Sequence, residues 1–263
     1  MWQILFIDVD GTLYGPGGVP ECAWQALAKA RELGLNMSIC TGRPGLGQTL
    51  SYAQRVNPSG LHIFEAGALV ADATGQAVQA LSLEAALYQD LLALGRELEL
   101  SREAYTVGGY FTEQETPELT AHQKMLGLEA SSCDLAELSA VLRLQFLVPH
   151  TQSPAILAIL KTYPVQIHPA TSPGLPGINF LSLIHPATSK KIAAEFIAHR
   201  QGLDLESVAM VGDGAGDLEL IRAAGLGIAM GNAPESVRKS AHRVVAKVED
   251  CGLAEAITLV LEN

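Results

Sequence analysis

The sequence is short of positive charge. Its 263 residues carry 17 Lys and Arg against 28 Asp and Glu, a formal net charge of −11. A chain whose main partner is nucleic acid or an anionic membrane needs a basic face, so both are excluded as principal partners. Long hydrophobic runs are also missing. No stretch approaches the roughly 18 uninterrupted apolar residues of a spanning helix. Asp8 interrupts the amino-terminal apolar run, and no basic segment precedes it, so neither a signal peptide nor a membrane span is expected there. Cysteine is scarce. Its four residues, at 22, 40, 133 and 251, form no pair with metal-knuckle or redox-motif spacing. Reduced core thiols in a cytoplasmic protein are the expectation. Internal repeats and low-complexity tracts are absent. The remainder is apolar: 48% hydrophobic and 17% charged residues, the composition of a chain with a sizeable core. The length suits one large α/β domain or two smaller ones.

The pattern is richest at the start. In "ILFIDVDGTL" (4–13) an uninterrupted apolar run meets Asp8, Val9 and Asp10 and then a Gly-Thr turn. Such a run reads as a strand buried on both faces. Pro20 opens a helix with Ala23, Leu27, Ala30 and Leu33 at helical spacing, and Gly34 stops it. The strand "LNMSIC", a helix over 45–56 and the strand "LHIF" continue a β-α-β-α-β order, which predicts a parallel sheet covered by helices. A hairpin follows in "ALVADATGQAVQAL". From 83 to 182 the rhythm changes to α+β, with a Leu-rich helix over 83–98 and strands near 103–111, 143–148, 165–169 and 178–184. Helices are expected there near 117–126 and 152–162. After His185-Pro186 the first rhythm returns, with a helix capped near Ser189, the strand "VAMVG", a helix over 216–224 and the strand "LGIAM". The expected organisation is a doubly wound parallel α/β core from residues 1–82 and 183–263, with an α+β cap inserted at 83–182.

In an open parallel sheet, ligands bind beyond the carboxyl ends of the strands where strand order reverses. Three such ends would deliver Asp8 and Asp10, Thr41-Gly42-Arg43, and Asp213 with Asp217. Four gathered carboxylates repel one another and raise some pKa values. A hard divalent cation with oxygen ligands, Mg²⁺, relieves that conflict.

These residues, "DVDGTL", "TGR", the Lys of "TSKKIAAE" and "GDGAGD", resemble in chain order the four signature motifs of the haloacid dehalogenase-like phosphohydrolases. The insert is similar by position and size to the type IIB cap of the Cof-like sugar-phosphatase branch, and "GLGIAMGNAPESVRKSAHRVV" resembles its carboxyl-terminal pattern. The resemblance implies a phosphatase acting on a small phosphorylated metabolite. Asp8 would attack phosphorus to form an aspartyl-phosphate. Asp10 would act as acid and then base. Thr41, Gly42, Arg43 and Lys190 would hold the phosphate, and Mg²⁺ would sit among Asp8, Asp10 (through its backbone carbonyl), Asp213 and Asp217. Two departures stand out. Gly216 replaces the branch's phosphate-contacting Asn, with Asn232 the candidate substitute, and "EAGA" (65–68) stands where relatives read "NGA". A phosphomutase of the same fold and a non-catalytic metabolite-binding relative are the alternatives. A dinucleotide loop is not, because "GDGAGD" lacks the G-x-G-x-x-G spacing.

Overall fold

The computed structural model describes residues 2–172 and 174–262. The apolar run at the start forms β1 (Ile4–Ile7), and every residue of it is buried. Pro20, already extended at φ −60°, ψ 141°, admits α1 (Glu21–Glu32), which buries Ala23, Trp24, Leu27 and Ala30. Next come β2 (Asn36–Ile39), α2 (Gly47–Val56), β3 (Leu61–Phe64), β4 (Leu69–Asp72) and β5 (Ala77–Ala80). The inserted segment holds α3 (Ala85–Glu97), β6 (Ser101–Thr106), β7 (Gly109–Thr112), α4 (Pro117–Leu126), β8 (Ser131–Ser132), β9 (Arg143–Pro149), α5 (Ser153–Leu160), β10 (Gln166–Thr171) and β11 (Ile178–Ile184). The chain then returns through α6 (Lys190–His199), β12 (Val208–Gly212), α7 (Leu218–Ala223), β13 (Leu226–Ala229), α8 (Glu235–Arg238), β14 (Arg243–Val244) and α9 (Gly252–Glu262). No helix among the described residues is long and apolar enough to cross a membrane.

Two compact units result. One comprises residues 1–43, 50–78 and 189–263; the other comprises 44–49 and 79–188. The first is built on a parallel sheet in the order β14-β13-β12-β1-β2. Ile4 pairs with Val208 on one side and Asn36 on the other, so β1 is central and its flanking strands come from opposite ends of the chain. The expected parallel pairing of "LHIF" is reduced to one bridge, between Cys40 and Ile63. Beyond it β3 pairs antiparallel with β4. The buried His62 explains the departure. Its Nδ1 accepts the Ile39 N–H at 3.1 Å, a donor that a neighbouring strand's carbonyl would otherwise take, and its Nε2–H donates to the Asn57 carbonyl at 2.9 Å.

The second unit is a six-stranded sheet, β10-β11-β9-β6-β7-β8, antiparallel except at the short β7–β8 pair. Alternation along its strands gives an apolar face. Ala104, Leu144, Phe146, Leu181 and Leu183 pack with Leu91 and Leu92 of α3 and with Ile156 and Leu160 of α5. On the opposite face Glu103 is fully buried. It is tolerated there because Tyr105, Tyr110, His122 and Gln145 all hydrogen-bond to its carboxylate.

One expectation about cysteine is overturned. Cys22 and Cys251 form a disulfide across a sequence separation of 229 residues, with Cα atoms 6.1 Å apart. Local spacing carries no information about this pair, because α1 and α9 meet only when they pack together. Cys40 and Cys133 are free thiols, and Cys40 is buried.

Two outcomes follow. Cys22→Ser should cost about 2–5 kcal/mol in non-reducing urea melts, the usual scale for a native cross-link, and reductant should lower the wild type toward the variant. His62 is held neutral by burial, its pKa lowered to about 4 from 6.5. The unfolded state therefore takes up the proton first. Its contribution is intact above pH 6.5 and fades as pH falls toward 4, at a total of roughly 3 kcal/mol. Urea melts of His62→Gln should lose that part of the slope; an unchanged slope would contradict it.

Candidate active site

Asp8 is the first residue past β1, and its N–H still donates to Val211 O at 3.0 Å. The chain then turns sharply, with Leu13 N–H returning to Asp8 O and Tyr14 N–H to Val9 O. On one flank β2 leads into Thr41 and Arg43; on the other β12 leads into Asp213 and Asp217. This is the point where strand order reverses, the expected place for a ligand. Lys190 opens α6, whose first turn is capped by Ser189 Oγ accepting the Ile192 N–H at 3.0 Å. Gly67 lets that turn approach the sheet: at φ +103° a Cβ there would lie 2.4 Å from Ser189 O.

Three carboxylates meet at this point. Asp8, Asp213 and Asp217 each offer an oxygen, and these oxygens lie within 4.8 Å of one another. Lys190 Nζ joins two of them, at 2.7 Å from Asp8 Oδ1 and 2.6 Å from Asp217 Oδ1. Asp217 Oδ2 accepts the N–H groups of Asp213 and Gly214 at 3.2 and 2.9 Å. Burial opposes the charge on Lys190, yet Asp217 and Asp8 outweigh it and hold the ammonium well above its ordinary pKa. Burial, then Asp217, raises Asp8, with Lys190 pulling the other way. Burial and Asp217 likewise push Asp213 up to about 6. Three negative charges against one positive leave the cluster short by two. A divalent cation with all-oxygen ligands matches that deficit in charge and in donor chemistry, so the residues fit Mg²⁺.

Comparison with known proteins gives the family. The family model for haloacid dehalogenase-like hydrolases matches residues 5–257. The chain belongs to the haloacid dehalogenase-like hydrolase family. Its enzyme class is that of the family's phosphatases. It is 23% identical over 262 residues to an HMP-PP phosphatase of Yersinia pseudotuberculosis, covering 97% of this chain and 93% of that one. A haloacid dehalogenase-like hydrolase from Bacteroides thetaiotaomicron superposes with a TM-score of 0.87 at 21% identity, over 99% of this chain and all of the other. A HAD subclass IIB sugar phosphatase gives a TM-score of 0.81 at 22% identity, over 98% of both chains. The expected doubly wound core with an inserted cap is thus the observed fold.

Within this hydrolase the remaining sequence-derived candidates are distributed unevenly. The Asp10 side chain is 60% exposed and lies outside the three-carboxylate cluster. The Arg43 guanidinium grips it at both oxygens, at 2.8 and 2.5 Å, while stacking over Tyr14. The buried Thr41 hydroxyl accepts the Arg43 N–H at 3.1 Å, which leaves its own O–H to donate. Lys191 is turned away, paired with Glu195. A Cβ at Gly216 would meet nothing within 4 Å, so the missing Asn leaves open space. Asn232 points inward. Its Nδ2 donates to Gly11 O and Asp213 Oδ2 at 2.9 and 3.1 Å, so both of its donors are engaged within the protein. At "EAGA", Glu65 and Ala66 take left-handed φ of 52° and 55°, a region that Gly and Asn enter at lower cost. Their N–H groups hold Arg43 O and Thr41 O, so this strained turn steadies the second loop.

Sequence reasoning missed the use of Gly11. At φ +79° its absent Cβ would lie 2.1 Å from Asp213 Oδ2. The signal was the Gly after Asp10, read there as turn chemistry. Gly11→Ala should therefore displace Asp213, lowering kcat about 10²-fold or more, since positional errors near 1 Å carry that penalty. Unfolding in urea should shift by a few kcal/mol at most. A fully active Gly11→Ala would show that Asp213 does not need this space.

Proposed function

We propose that this hydrolase is a Mg²⁺-dependent phosphatase of small phosphorylated metabolites, working through an aspartyl-phosphate on Asp8. The observation that carries the reading is the meeting of Asp8, Asp213 and Asp217 around a single lysine. Asp8 and Asp213, with the Asp10 carbonyl, would hold the cation, and Asp217 would support them. When bound, Mg²⁺ neutralises charge on the transferring phosphoryl group and the surrounding carboxylates.

The chain's own residues then have distinct tasks. An Asp8 carboxylate oxygen attacks phosphorus as the ester P–O bond breaks, and Asp10 gives its proton to the departing oxygen. Asp10 then takes a proton from water, whose oxygen attacks the aspartyl-phosphate. Inorganic phosphate leaves and the Asp8 carboxylate is restored. Thr41 O–H, the Gly42 amide and Lys190 hold phosphate oxygens. Arg43 holds both Asp10 oxygens, so Asp10 serves as acid only after it leaves that pair for the substrate.

Residues 83–182 are proposed as the cap that selects the ester. A sugar phosphate is the first choice and a phosphoglycolate-like compound the second. Phosphate esters of this kind do not cross membranes unaided and favour a cytoplasmic location, against which the Cys22–Cys251 disulfide stands. Trapping the thiols of Cys22 and Cys251 in fresh lysate tests that location, since a cytoplasmic pool favours the reduced pair.

Free phosphate released from a panel of phosphoesters, with and without added Mg²⁺, tests the function. Hydrolysis that requires Mg²⁺ and disappears in a folded Asp8→Asn variant is expected. Turnover of a hexose phosphate to an isomer without released phosphate would make the protein a mutase. Inactivity across the panel would leave a binding protein.

A further inference from the structure

We propose that Asn232 is the positioning residue that aims Asp213 at the divalent cation, a role that rests on the magnesium-dependent reading above. Its side chain joins three segments that are remote in sequence. Nδ2 donates to Gly11 O in the turn after β1 and to Asp213 Oδ2 in the loop after β12. Oδ1 accepts the Val248 N–H at 3.0 Å, in the 3-10 turn before α9. Val248 is itself buried and docks where Gly15 has no side chain, a Cβ there lying 2.9 Å from it. The amide thus has a rigid support behind it and a carboxylate oxygen in front.

The chemistry of the amide suits this task. A carboxylate that must face a cation needs to be oriented without being neutralised. An ammonium or guanidinium at 3.1 Å would form an ion pair and compete with the metal. A neutral N–H donor fixes one oxygen and leaves the second available to the cation. Partners of this kind behind a ligand are typically worth about 10–100-fold in metal affinity. Gly11 and Asn232 act on the same oxygen, Asp213 Oδ2: the first clears room for it and the second directs it. Asn232 also lines an open cavity of about 670 Å³.

The test is calorimetric titration of MgCl₂ into the substrate-free full chain, alongside phosphate release from p-nitrophenyl phosphate. Asn232→Ala and Asn232→Ser should each raise the Mg²⁺ Kd about tenfold or more, with kcat recovering as Mg²⁺ is raised. KM at saturating Mg²⁺ should stay within about twofold of wild type, because substrate contacts are intact. The serine variant carries the test should the alanine variant not fold. An unchanged Mg²⁺ Kd with a raised KM would overturn the proposal and make Asn232 a substrate contact. A wild type that binds Mg²⁺ and hydrolyses esters, with variants that match it, removes this inference alone. A wild type that takes up no Mg²⁺ removes the functional reading with it.

Discussion

Three carboxylates held around one buried ammonium are the constraint on which the rest of this molecule turns. Lys190 bridges Asp8 and Asp217 at 2.7 and 2.6 Å, and Asp213 completes the group. Burying such an arrangement is costly unless each charge meets a partner. The fold meets that cost in several places. Backbone N–H groups occupy Asp217 Oδ2, Asn232 holds Asp213, and the proton remains on Lys190 despite its burial. What remains is a deficit of two positive charges, which a divalent cation can fill.

That requirement explains the shape of the first unit. Asp8 and Asp213 become neighbours because β1 and β12 pair in register at the centre of a parallel sheet, although about two hundred residues of sequence separate them. Lys190 reaches them because α6 begins there, under a serine cap and against a glycine with no side chain to hold it off. The second unit solves a different problem. It has a core of its own on one face of an antiparallel sheet, and on the other face four side chains surround the buried Glu103.

Much of this was legible from residue patterns. The run "ILFI", the helix opened by Pro20 and the strand "VAMVG" fell where periodicity placed them, because burial on one or both faces writes itself directly into side-chain type. So did the hairpin around Thr74-Gly75. The acidic strand tips were legible too, since carboxylates at the end of a buried strand have few structural uses. Less was visible where one side chain substitutes for backbone. His62 takes a sheet amide at the edge of β2, and β3 turns from parallel to antiparallel pairing beside it. No periodicity carries that event.

The sequence alone determined the order of elements and the acidic strand ends, because these rest on local composition and spacing, and its motifs carried the resemblance to the family. Tertiary structure decided which carboxylate oxygens come together. It also decided that Asp10 is gripped by Arg43, that Asn232 faces Asp213, and that Cys22 finds Cys251. Each of these is a distance of a few ångströms between segments far apart along the chain. Such distances are set by how sheet and helices pack together, and no short window of residues contains them.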